Sequence, residues 1–95
     1  MKSKEEFIQM LHAKIDEWDT EIDRLSAKAA MVEAESREDY YQQIAEMKAK
    51  RSQINEKLEK VRQSGENAWE DLKSGIDLAL ESMNEALRSA ASRFK

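Results

Sequence analysis

The chain has no cysteine, no proline, one histidine and only two glycines, Gly65 and Gly75, and aromatic residues fill just 6% of its 95 positions. Each shortage excludes something. Without cysteine there is no disulfide framework and no thiolate metal site, and a reducing compartment suits the chain. Without proline, and with no glycine before residue 65, no strong breaker interrupts the backbone over the first part of the chain. Two isolated glycines cannot build a phosphate-cradling loop. Few aromatics beside 38% charged residues leave little material for a broad globular core, and 95 residues make one domain at most. No stretch approaches the roughly 20 apolar residues that span a bilayer. The opening MKSKEEFIQML turns acidic too soon to read as a secretory signal. A net charge of −4 argues against nucleic-acid binding, which needs clustered Lys and Arg on phosphates.

What is present is helical. Ala, Glu, Lys, Gln, Met and Leu abound, and these lose little rotamer freedom in a helix. Ser3 with Glu6 three residues on forms a capping box for a helix starting near residue 4. An apolar stripe follows through Ile8, Leu11, Ile15, Trp18, Ile22, Leu25, Ala29 and Val32 in alternating steps of three and four, as a coiled-coil seam requires. The steps then become four, four, four through Ser36, Tyr40 and Ile44. Alternation resumes at Met47, Arg51, Ile54, Leu58 and Val61. The extra residue is a skip that locally relaxes left-handed supercoiling. Residues 27–47 hold no glycine or proline, and Glu33 with Arg37 and Glu46 with Lys50 are favourable i,i+4 pairs on either side of the skip. These features favour one unbroken helix over about 4–63, roughly 90 Å long. The alternative is a break near Ser36, where Ser36 and Asp39 form a second capping box, giving a three-helix bundle.

A turn is expected at 64–67, with Gly65 in the left-handed region and Asn67 capping a second helix over about 68–94. That helix carries Trp69, Leu72, Ile76, Leu80, Met83, Leu87, Ala90 and Phe94. Leu78 lies off the stripe, so it either widens the apolar face or meets another partner. Gly75, inside the helix, is either a tolerated weak point or a place where another backbone comes close. The predicted fold is therefore all-α, a coiled-coil hairpin of a long and a shorter antiparallel helix that completes a bundle by dimerisation.

Charge supports antiparallel pairing. Residues 1–39 have net charge −5, residues 40–63 net +3 and residues 64–95 net −2. The acidic first half suits the basic second half of the same chain or of a second copy. A lone two-helix hairpin would leave the edge from Ile8 to Val32 facing water, too long an apolar strip for a monomer. A homodimer or another helical partner is the consequence.

No constellation points to catalysis or to a cofactor. His12 has Asp16 one turn later, but Gln9 stands where a Glu-x-x-His di-iron motif needs glutamate, and one His without Cys cannot complete a zinc site. The acidic run Asp16 to Asp23 keeps helical period through Trp18 and Ile22, so it reads as a solvated face, not a calcium loop. No serine has an evident base partner. Lys48, Lys50, Arg51, Lys57, Lys60 and Arg62 lack an interleaved aromatic to stack on bases, so they read as a surface for the acidic half. Trp18 and Trp69 read as packing residues, with Tyr40 on the seam and Tyr41 on its flank.

The segment Ala68-Trp69-Glu70-Asp71-Leu72-Lys73-Ser74-Gly75, after a long charged helix and a short Ser-Gly turn, resembles a family of small bacterial coiled-coil stress-response proteins. In pattern the likeness covers nearly the whole chain, and the specific part is Ala-Trp-x-x-Leu-Lys-x-Gly. A second aromatic often found further along is replaced here by Leu78-Ala79-Leu80. The resemblance implies a cytoplasmic bacterial protein with no known catalytic residues, and from the residues themselves no cofactor and no small-molecule substrate are expected. A structural or interaction protein is the leading expectation. The alternative is a peripheral lipid-surface binder using the Trp69-to-Phe94 face, although that helix is net acidic where surface-seeking helices are usually basic.

Overall fold

A computed structural model describes residues 3–94. Three helices and no strand occur among them: α1 (Lys4–Ala29), α2 (Ala34–Gln63) and α3 (Trp69–Arg93). None is long and apolar enough to cross a membrane. The Ser3 hydroxyl accepts a hydrogen bond from the Glu6 amide at 3.2 Å, which starts α1 where the sequence places it.

The single helix expected over 4–63 is divided. α1 ends at Ala29, and α2 begins at Ala34 with Glu33 as an extended N-cap that makes no side-chain cap bond. The break also precedes the alternative site, since Ser36 lies in the first turn of α2. Its cause is tertiary. Folding α1 back buries Leu11, Trp18, Ile22, Leu25 and their neighbours, at about 1.5–3 kcal/mol for each large side chain. Interrupting a helix forfeits roughly four hydrogen bonds of about 1 kcal/mol each, and some are replaced. Glu33 carbonyl accepts from the Ser36 and Arg37 amides, and Arg37 Nη2 donates to the Val32 carbonyl at 3.0 Å. Burial wins.

The second connection also departs from expectation. No glycine here has a positive φ. Ser64 instead turns the chain in an extended conformation, its hydroxyl donating to the Val61 carbonyl at 2.7 Å. Asn67 is not the cap; Ala68 precedes the first helical residue, Trp69.

Side-chain contacts fix the order of the helices. Lys4 Nζ donates to the carbonyl of Arg62 at 3.1 Å, and Phe7 meets Trp69 with ring centroids 5.4 Å apart, so the start of α1 lies beside the end of α2 and the start of α3. At the other end, Lys28 Nζ donates to the Phe94 carbonyl, and Tyr40 stacks on Phe94 at 3.9 Å. The helices thus run up, down and up, in a body of 51 × 20 × 17 Å. Buried side chains from all three form one core.

Candidate helix-association site

The packing positions read from the sequence converge on that core. Leu11, Ile15, Trp18, Ile22 and Leu25 of α1, Tyr40, Ile44, Met47, Ile54, Leu58 and Val61 of α2, and Trp69, Ile76 and Met83 of α3 are buried. Ile8, Val32, Leu72, Leu80 and Leu87 are half-buried at its rim. The edge from Ile8 to Val32, which on the unbroken-helix reading needed a second molecule, is covered here by helices of the same chain.

Some members of the site escape sequence reasoning. Phe7 is 1% exposed and outranks its neighbour Ile8. Its signal was present, since Phe7 and Leu11 are one turn apart, but choosing between adjacent apolar residues requires knowing that Trp69 lies opposite. Gln43, a polar residue 4% exposed, donates its Nε2 to the Ala86 carbonyl at 3.1 Å; periodicity in hydrophobicity cannot reveal it. Ala86 is buried in turn, and its small side chain suits the close approach of α2 and α3.

Electrostatics follow the antiparallel arrangement. Arg51, on a seam position of α2, bonds Asp19 of α1, joining the basic and acidic halves within one chain. Lys50 reaches the Ser82 hydroxyl on α3 at 2.7 Å and Glu46 on its own helix at 3.9 Å. Arg37 does not need Glu33, because its guanidinium has turned to the Val32 carbonyl. Arg24 is held above its ordinary pKa by its hydrogen bond to the Glu21 carboxylate, a half-exposed pair on the surface of α1. His12 and Asp16 are both exposed, and among the described residues no three His, Cys, Asp or Glu side chains cluster as a metal would require.

The concave surfaces are shallow. A groove of about 270 Å³ between α2 and α3 is lined by Lys57, Lys60, Asp71, Leu72, Ser74 and Gly75, and another of about 470 Å³ by Lys4, Glu5, Ile8, Gln9, Arg62 and Glu66. No family model, curated protein or solved structure matches the chain. Function must therefore be argued from the packing surfaces themselves. The Ala68–Gly75 segment has a structural explanation: Trp69 closes one end of the core against Phe7, Leu72 lies at the rim, and Gly75 is exposed with nothing within 4 Å of where a Cβ would be. Among the described residues, no backbone of another helix approaches that Cβ position within 4 Å. Leu78, 69% exposed, does not widen the core.

Proposed function

We propose that this protein works by helix–helix association, as a structural or adaptor element, and performs no chemistry of its own. The observation that carries this reading is how the side chains are spent. Both tryptophans, the apolar seam residues and the buried Gln43 amide serve contacts between helices. Outside the core are solvated charged faces and open grooves. The likeness of Ala68–Gly75 to the bacterial stress-response proteins supplies a setting, a cytoplasmic protein raised under stress. The lipid-surface alternative requires α3 to give up the core contacts of Trp69, Ile76 and Met83, so it has the larger cost.

A second copy of the chain is the partner proposed here. Sedimentation equilibrium from about 1 to about 100 µM tests it, because association follows mass action. The expected result is a mass that rises above the monomer's 11.0 kDa toward twice that value. A fixed monomer mass over the whole range contradicts self-association.

A further inference from the structure

We infer that the Ala30–Glu33 connection is a hinge through which two copies exchange α1, forming an antiparallel domain-swapped dimer built on one continuous helix per chain. This rests on the self-association reading above and names its route.

Three observations carry it. First, the connection contains nothing that prefers a turn. Ala30, Met31, Val32 and Glu33 include no glycine, proline, asparagine or serine. Ala30 is still in the right-handed helical region, with φ −70° and ψ −18°, and no described residue has a positive φ. Glu33 is clearly non-helical, at φ −63° and ψ 151°, and the whole interruption spans only Ala30 to Glu33.

Second, the closed form holds the connection through Val32, packed at the rim of the core with its carbonyl accepting from Arg37, and not through Glu33 or Met31 side chains. Glu33 makes no side-chain cap bond, and Met31 is 87% exposed. Straightening the connection restores helical hydrogen bonds that an interruption leaves open, and Ala, Met and Glu are favourable helix formers.

Third, the core positions are in phase across the break. Leu11 and Met47, Trp18 and Ile54, and Leu25 and Val61 are each 36 residues apart, which is ten turns of an uninterrupted α-helix at 3.6 residues per turn. A helix continued through the connection therefore presents both halves of its apolar stripe on one side. The four-four-four skip beyond Val32 is what keeps them in phase, because it cancels the drift that earlier heptads accumulate. Two such helices lying antiparallel bring α1 of each copy onto α2 and α3 of the other. Every contact that α1 makes in the closed chain is then remade between copies, including Arg51 with Asp19. Since the interface is the same in both forms, the balance falls on the connection and on concentration.

The test uses two cysteines in a chain that has none. A D19C/R51C variant, concentrated and fractionated by size, is treated with a short thiol-bridging reagent and run on a denaturing gel. The dimer fraction is expected to give covalent dimers, and the monomer fraction covalently closed monomers. E33P is the companion variant. Proline matches the φ of −63° at position 33 but breaks a continuous helix, so dimer formation is expected to weaken at least about a hundredfold while monomer helicity by circular dichroism is unchanged. A dimer fraction whose bridges all close within one chain overturns the exchange and leaves side-by-side association standing. Absence of any dimer, even after concentrated refolding, overturns both. A dimer that E33P does not weaken also overturns the exchange.

Discussion

Trp69 and Phe7 hold the end of the molecule where the second connection meets the start of α1, with ring centroids 5.4 Å apart and both side chains almost fully buried. Trp69→Ala removes one of the largest core side chains from a site bordered by an exposed turn. It is expected to lower unfolding free energy by about 3–5 kcal/mol, read from urea titrations followed by circular dichroism. A change under about 1 kcal/mol would show that the ring packs only loosely. At this scale the sequence was legible wherever hydrophobic period decides the outcome: Leu11, Trp18, Ile54 and Met83 follow from spacing alone. It was not legible where identity depends on a neighbour distant in sequence. Phe7 over Ile8 is set by Trp69, and the burial of Gln43 is set by the carbonyl of Ala86.

Among the elements, α1 and α3 begin within one residue of where the sequence places them, and α2 ends at Gln63 as expected. The break between α1 and α2 is legible only as the alternative near Ser36, a few residues too late: no glycine or proline marks residues 30–33, and the N-cap there, Glu33, caps nothing with its side chain. Local propensity favours helix through residues 30–33, and long-range burial of α1 overrides it. The turn after α2 lies where the sequence places it, but Ser64, not a left-handed Gly65, changes the direction of the chain. Within α3, Gly75 tests the two readings of an interior glycine. A Cβ there meets nothing in this chain, so Gly75→Ala is expected to stabilise the fold by about 1 kcal/mol through helix propensity alone, measured as a raised urea midpoint. If the same substitution instead weakens self-association in sedimentation experiments, a second backbone comes close to Gly75 between molecules.

For the whole molecule, the decisive question in the sequence was what covers the apolar edge of the first helix, and within the chain the answer is α2 and α3. Acidic and basic segments meet as their charges suggest, through Arg51 and Asp19, although a half-exposed pair contributes at most about 1 kcal/mol and serves register more than stability. The same edge, the same partners and a connection that tolerates helix allow one set of contacts to be made within a chain or between two. On the exchange proposed above, stability of the monomer and capacity to assemble are two uses of one interface, separated by the conformation of residues 30–33.

The most direct measurement of that claim is amide hydrogen exchange at residues 30–36, followed as protein concentration is raised. In the closed monomer the amides of Ala30, Met31 and Ser36 are already hydrogen-bonded, so rapid exchange is expected of residues 32–35, in the connection and first helical turn. Protection of residues 32–35 is expected to increase in step with the appearance of dimer, as a continuous helix forms through Glu33. Dimer that accumulates while these amides remain as unprotected as in the monomer would contradict it.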